Sequence, residues 1–178
     1  CALYHDIGRF HQYQEYHKYN DSIEEMINSN EEQVRLLLER CGSVTFALED
    51  MMLKGLTCTT FLDDAFPKRL MSRLKDFCPP LLYSSGNSIL NQRRFVGYVG
   101  SRNITEQDIQ WTEMCIAKNI PAGYGIVTGG AKGIDNVALT YAIEHGAFAV
   151  VFLPDNLSQK VREPFYQKNL LNFLLILN

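Results

Sequence analysis

The sequence predicts an α/β protein with a doubly wound parallel sheet and a small helical unit in front of it. Two observations support this prediction. From about residue 94, short apolar segments alternate with segments of helical spacing, the pattern of parallel strands joined by crossover helices. Before residue 56, capping residues and glycines delimit segments in which the apolar residues recur at helical intervals, with no strand pattern between them.

The front of the chain predicts two short helices. Residues 29–42 combine a Ser-x-x-Glu capping box with apolar residues at helical spacing, and Gly42 is expected to end this helix. A second helix is expected between Ser43 and Gly55. Together they form a compact helical unit over residues 1–55, of SAM-like or helix-hairpin-like type.

The next segments predict irregular and extended structure. Residues 56–63 are typical of an extended segment, and "DDAFPKRL" is typical of a turn that enters a short helix. The two prolines of "CPPLLYSSGN" exclude a regular helix, which favours a loop followed by a strand.

The remaining segments alternate between strands and helices. Apolar segments at 94–100, 123–130, 146–154 and 173–177 are expected to be strands. Helices are expected from Glu106 to Asn119 with Thr105 as the cap, from 134 to about 145, and within the polar segment that ends near Leu171. We therefore expect residues 56–178 to form one α/β domain.

Composition favours a packed protein in a reducing compartment. Apolar residues make up 46% and charged residues 21% of 178 residues, and the net charge of −3 conceals an asymmetry. Residues 1–60 carry five Lys and Arg against ten Asp and Glu, whereas residues 61–178 carry twelve against ten, which leaves room for a basic patch. The cysteines form no C-x-x-C pair, and no signal peptide or membrane span is recognisable, so a cytoplasmic protein without a membrane partner is expected.

Two loops follow the first and second strands of the α/β domain: "GSRNIT" and "TGGAKGID". Ligands of parallel sheets collect at the carboxyl ends of strands, where loops meet helix N-termini. Each loop has one cation, Arg102 or Lys132, beside small residues that permit close approach of the backbone. Helix dipole, free N–H groups and cations together predict an anion site.

Neither loop matches a common nucleotide motif. A dinucleotide fold requires G-x-G-x-x-G after its first strand, whereas the first loop is "GSRNIT". A Walker A loop requires a hydroxyl residue after its lysine, whereas Lys132 is followed by Gly133. No cofactor is therefore expected.

Four ordered motifs, "FPKRL", "CPPLLYSSGN", "VGSRNIT" and "TGGAKGID", resemble the Rossmann-like domain of the DNA-processing protein A family (DprA, also called Smf). The resemblance implies a cytoplasmic, non-catalytic protein that binds and protects single-stranded DNA. It also implies that the protein assists loading of the RecA recombinase during natural transformation, with a homodimer as its assembly.

The motifs also assign candidate residues to a DNA phosphate site. By resemblance, Gly100, Ser101 and Arg102 match the family's G-S-R loop, and the glycine-rich loop contributes Gly129, Gly130, Lys132, Gly133 and Asp135. Arg102 is expected to act as a bidentate clamp on a phosphate and Lys132 as a point charge. Asp135 is expected to cap the helix that follows.

The chain departs from the family pattern in two places. Ala138 and Leu139 stand where the family usually has Ala-His, so that histidine is missing. The chain ends at Asn178, before the family's R-N-R motif, and we expect dimerisation and the RecA contact to depend on that later portion.

Two other functions remain open. The same loops suit a nucleotide-binding or nucleotide-processing enzyme, although no nucleophile and base are recognisable beside them. "YHDIGRF" resembles the metal-binding signature of HD-type phosphohydrolases at His5 and Asp6, but the chain supplies no upstream histidine ligand. We interpret that string as a chance match or remnant and expect no metal site.

Overall fold

The computed structural model describes residues 32–61, 63–154 and 157–177. Ser29, His5 and Asp6 lie outside these residues, so the predictions that concern them stay untested. The chain divides into two compact units, Cys1–Tyr83 and Ser84–Asn178.

The first unit contains short helices and the edge of a sheet. Its elements are α1 (Glu32–Glu39), α2 (Cys41–Leu53), β1 (Thr57–Thr60), α3 (Lys68–Leu74) and the beginning of β2 (Leu81–Gly86). β1 lies beside β2, and just after β1 the N–H of Phe61 donates to the carbonyl of Pro80 at 3.1 Å. The extended segment, the short helix and the strand predicted for residues 56–87 are confirmed.

The boundary between the first two helices differs from the prediction. Gly42 does not end a helix, because α2 already begins at Cys41 and the N–H of Val44 donates to the carbonyl of Arg40. Gly42 is exposed, and an added Cβ there would meet nothing within 4 Å. Glycine inside a helix lowers stability by a modest amount, which this helix tolerates. Gly55 does follow the second helix, with a φ of +75°.

The second unit alternates strands and helices as the sequence predicts. Its elements after β2 are β3 (Phe95–Gly97), α4 (Glu106–Asn119), β4 (Gly125–Thr128), α5 (Ile134–Glu144), β5 (Ala149–Leu153), α6 (Leu157–Lys160), α7 (Pro164–Lys168) and β6 (Phe173–Leu177). The polar segment before β6 thus holds two short helices rather than one.

The sheet order is β1-β2-β6-β5-β4-β3, and the pairings β3–β4, β4–β5 and β5–β6 are parallel. In the second unit, the N–H of Asn87, just after β2, donates at 2.7 Å to the carbonyl of Phe173, which opens β6. The end of β2 therefore lies at the start of β6, and the two neighbours run in opposite directions. The parallel prediction is confirmed for four strands, and the whole is a mixed sheet.

Strands β3 to β6 are neighbours in chain order. A doubly wound sheet requires a reversal of strand order at its centre. The order of these four described strands does not reverse. They therefore do not support the prediction that the sheet is doubly wound. Strand patterns in the sequence specify the number and type of strands, but not which strands become neighbours.

The core of the second unit includes the two strands β5 and β6 and one face of α5. Val151 and Leu174 are at most 1% exposed, and Ala138 and Ala142 are fully buried. These small helix residues let α5 pack closely against β4 and α4. Within the described residues, no helix combines the length and apolarity that crossing a bilayer requires.

The helix after the first loop begins at a capping box. Thr105 accepts from the N–H of Asp108, and the Asp108 carboxylate accepts from both the N–H and the hydroxyl of Thr105, at 2.8 and 2.7 Å. The backbone hydrogen bond, followed by the hydroxyl, lowers the pKa of Asp108 below its ordinary value of 3.8. The predicted start, end and cap of α4 are all confirmed.

We expect Thr105→Ala to lower the free energy of unfolding by about 1 kcal/mol, because the first turn of α4 loses its cap. The pKa of Asp108 should rise towards 3.8, measured by NMR titration of its carboxyl group. In the wild type the stabilisation from Asp108 is present above its unfolded-state pKa and disappears as pH falls through the lower folded-state pKa. An unchanged Asp108 pKa in the variant would contradict this account.

Candidate functional site

The two predicted loops lie at the same edge of the sheet. β3 and β4 are parallel neighbours with Val96 opposite Ile126, so residues 98–105 and 129–133 leave the sheet side by side. Both loops then enter helices, α4 and α5. The arrangement that the sequence predicts for the carboxyl ends of these strands is therefore present.

Asp135 joins the two loops. One carboxylate oxygen accepts the N–H of Gly100 at 3.3 Å, and the other accepts the N–H of Gly129 at 3.1 Å. Asp135 itself is only 4% exposed. A buried carboxylate is stabilised only when such donors replace its water, so the charge and the loop positions depend on each other.

The expected role of Asp135 as a helix cap was wrong. The N-cap of α5 is Gly133, which makes no side-chain capping bond, and Asp135 lies inside the first turn. Its side chain accepts from the two loops rather than from the helix, because the preceding loop passes beside the carboxylate.

A close backbone contact reinforces this link at Gly133. The residue has a φ of +90°, and an added Cβ would lie 2.1 Å from the carbonyl oxygen of Ser101 and 2.7 Å from the Cα of Arg102. The N–H of Ile134 donates to that same carbonyl at 3.1 Å. Arg102 therefore lies against the residue that directly follows Lys132.

Arg102 and Lys132 both have exposed side chains. Neither forms an ion pair with any residue that the structure describes. Two positive charges thus stand on adjoining loops and are paired with no carboxylate of the described residues, so an anionic ligand would be attracted to this position.

The backbone N–H groups of the site fall into two sets. Those of Gly100 and Gly129 donate to Asp135, and that of Gly130 donates to the hydroxyl of Thr128 at 3.3 Å. In the described part of the chain, the N–H groups of residues 131–133 have no acceptor. The expected cradle of free N–H groups is therefore smaller than the sequence predicts, because Asp135 occupies part of it as an internal anion.

The hydroxyl of Ser101 is also engaged within its own loop. It donates to the carbonyl of Asn103 at 2.6 Å and accepts the N–H of the same residue at 3.2 Å. This turn shapes the segment that presents Arg102. Whether Ser101 also contacts a ligand stays a prediction.

A cavity of about 240 Å³ adjoins the glycine-rich loop. Its lining residues come from that loop, from the end of β5, from α6 and from the turn before α7: Gly129, Gly130, Ala131, Leu153, Pro154, Gln159, Lys160 and Glu163. Lys160 Nζ donates to both carboxylate oxygens of Glu163, at 2.9 and 3.1 Å. The cavity therefore has a charged pair in its wall.

Tyr166 packs beneath this pair. It is 4% exposed, and Lys160 Nζ lies 5.6 Å from the centroid of its ring. Burial, and to a lesser extent the charge of Glu163, raises the pKa of Tyr166 to about 12. The phenol is therefore neutral at physiological pH.

Lys160 and Glu163 were not predicted from the sequence as site residues. They follow the carboxyl end of β5, the third parallel strand, where the same rule that selected the first two loops applies. The Lys-x-x-Glu spacing was a usable signal, but such pairs are common on solvated helix surfaces and do not by themselves indicate a site.

Comparison with known proteins identifies related sequences and folds. Residues 57–174 match the family model for "DNA recombination-mediator protein A". No curated protein sequence matches the chain.

Two solved structures share the fold. DNA processing protein A from Streptococcus pneumoniae is 24% identical, with a TM-score of 0.65 over 92% of this chain and 59% of that protein. DNA processing protein A from Helicobacter pylori, described with a single-stranded DNA binding mode, is 25% identical, with a TM-score of 0.52 over 68% of this chain and 54% of that protein. This chain thus spans between half and two thirds of either relative.

We expect Asp135→Ala to lower the free energy of unfolding by about 3 kcal/mol, because two N–H groups lose a charged acceptor. Asp135→Asn should cost less, since its carbonyl oxygen preserves one of the two bonds. Urea denaturation measures both effects, and Glu144→Ala at the exposed far end of α5 is the control. A loss below about 1 kcal/mol in Asp135→Ala would refute the loop-joining role.

Gly133→Ala should be more destabilising than Gly123→Ala. Both glycines have positive φ angles, +90° and +77°, but an added Cβ meets backbone atoms only at Gly133 and nothing within 4 Å at Gly123. We expect a cost of about 1 kcal/mol at Gly123 from the left-handed conformation alone, and a clearly larger one at Gly133. Thermal denaturation of both variants tests the difference; equal costs would mean that the loops can separate freely.

Proposed function

Because this chain belongs to the DNA recombination-mediator protein A family, we propose that it binds single-stranded DNA through the loops that carry Arg102 and Lys132. The proposal covers a non-catalytic, cytoplasmic protein that grips the phosphates of the strand without regard to base sequence. Protection of incoming DNA, RecA as a partner and a homodimeric assembly belong to the same proposal, by family resemblance.

The observation that carries the proposal is the contact between Arg102 and Gly133, next to Lys132. The contact supports the proposal because it brings together the backbones of two loops that each carry an exposed cation, and Asp135 accepts an N–H group from each loop. A phosphodiester requires this kind of site, because each phosphate carries a single negative charge and oxygens that accept from Arg and Lys.

The distribution of donors favours a backbone rather than a base as the ligand of these loops. Arg102 and Lys132 are cations without acceptor atoms, and the unused N–H groups of residues 131–133 are donors only. Donors alone suit phosphate oxygens and do not distinguish between bases that offer both donors and acceptors. Binding of this kind is independent of sequence and strongly dependent on salt.

A nucleotide-processing enzyme finds less support at the same site. Asp135 is buried and both of its oxygens accept backbone N–H groups, so it lacks the access that a general base requires. His145 lies at the opposite end of α5, where its ring stacks on Tyr141 with centroids 3.9 Å apart. The HD-type alternative concerns residues outside the described part of the chain.

We expect Arg102→Ala and Lys132→Ala each to weaken binding of single-stranded oligonucleotides about tenfold at low salt, a loss of about 1.4 kcal/mol. The loss should be equal for oligo-dT, oligo-dA and oligo-dC. Each variant should also flatten the plot of log affinity against log salt by about 0.7, the value for one phosphate contact. Fluorescence anisotropy across a salt series measures both quantities.

Lys118→Ala is the matched control, because Lys118 is an exposed cation in the last turn of α4, away from the loops. It should change neither affinity nor salt slope appreciably. If all three variants lose the same affinity, the effect is one of net charge and the loop site is refuted. The enzyme alternative is tested by assaying a panel of nucleotides for turnover. Turnover that Arg102→Ala abolishes would favour a nucleotide-processing enzyme.

A further inference from the structure

We infer that the cavity beside the glycine-rich loop is a third phosphate subsite, in which Lys160 supplies the cation and Glu163 competes with the phosphate for it. This inference rests on the proposed DNA-binding function and extends it to residues outside the two motif loops. It assigns Glu163 the role of limiting the affinity of the strand.

The position of the cavity connects it to the proposed binding surface. Gly129, Gly130 and Ala131 line the cavity, and the same loop continues directly into Lys132. Its volume of about 240 Å³ lies below the range of about 300–1,000 Å³ that holds drug-sized ligands. One phosphate group with its ester oxygens is a small ligand that such a space accommodates.

The ion pair of Lys160 and Glu163 in the cavity wall allows a phosphate to replace Glu163 as the partner of Lys160. A lysine ammonium has three N–H donors, and Lys160 directs two of them to the oxygens of Glu163. The side chains are 33% and 42% exposed, so solvent screens their attraction and Glu163 can turn towards water. A phosphate oxygen can therefore take the third donor and then displace the carboxylate.

Tyr166 keeps the cation in place during that exchange. The ammonium of Lys160 lies over its ring, and this contact does not involve Glu163. The pKa of Tyr166, raised to about 12, keeps the phenol uncharged, so it adds no negative charge against a phosphate. Lys160 thus stays at the cavity when its carboxylate partner leaves.

Glu163 differs in this respect from the other internal anion of the site. Asp135 is buried and satisfies two backbone N–H groups, so its removal destabilises the protein. Glu163 is partly exposed, and within the described residues its side chain pairs with Lys160 rather than with backbone N–H groups. Its neutralisation is therefore expected to change DNA affinity with little effect on folding.

The test is a double-mutant cycle on the full chain with a fluorescent oligo-dT. Glu163→Gln should tighten binding about threefold to tenfold at low salt and steepen the salt slope by about 0.7, because one more phosphate contact becomes available. Lys160→Met keeps the apolar stem of the side chain and removes the charge. In Glu163→Gln/Lys160→Met the gain should disappear, since Glu163 acts through Lys160.

Glu144→Gln is the control for net charge, because Glu144 is an exposed acid at the far end of α5. Equal tightening in Glu144→Gln and Glu163→Gln would overturn the inference, as would a gain that persists in the double variant. Urea midpoints of all variants confirm that folding is retained.

The outcomes separate this inference from the function on which it rests. If Arg102→Ala and Lys132→Ala weaken binding while Glu163→Gln leaves it unchanged, the motif loops bind DNA and the third subsite is refuted. If Glu163→Gln tightens binding while the loop variants have no effect, the cavity binds the strand and the proposed loop site is refuted. If no variant binds oligo-dT at low salt, both are refuted.

Discussion

The site depends on one buried carboxylate. Asp135 accepts the N–H of Gly100 from one loop and the N–H of Gly129 from the other, and so fixes two segments that are 29 residues apart in the chain. The negative charge of Asp135 requires these donors, because burial has removed its water. The close contact at Gly133 and the start of α5 lie directly beside these two hydrogen bonds.

The same carboxylate changes what the glycine-rich loop is able to bind. A glycine loop before a helix usually offers its N–H groups to a phosphate. Here Asp135 takes two of the available groups at the strand ends, and the N–H groups that remain are those of residues 131–133. An external anion therefore has these N–H groups and the side-chain cations as donors, but not a complete cradle of backbone N–H groups. Under the proposed function, a DNA strand would be held there by salt-dependent contacts.

Both internal anions, Asp135 and Glu163, oppose the cations at this edge of the sheet, but they act differently. Asp135 is buried and structural, whereas Glu163 is partly exposed and pairs with Lys160 at the cavity. Under the proposed function, the chain binds a DNA strand and must also release it. The role that we propose for Glu163 would limit the affinity for the strand without weakening the fold.

The sequence by itself determined the strands of residues 56–177, the helices α3, α4 and α5, the cap of α4 at Thr105 and the two cation-bearing loops, because local spacing, capping and glycine patterns encode them. It did not reveal that Gly42 lies inside a helix, that β3 to β6 are neighbours in chain order, or that Lys160 and Glu163 join the cavity wall. Only the tertiary structure decided the partners of Asp135. Local sequence specifies that a carboxylate follows a glycine loop, but long-range packing selects which N–H groups surround it once water is excluded.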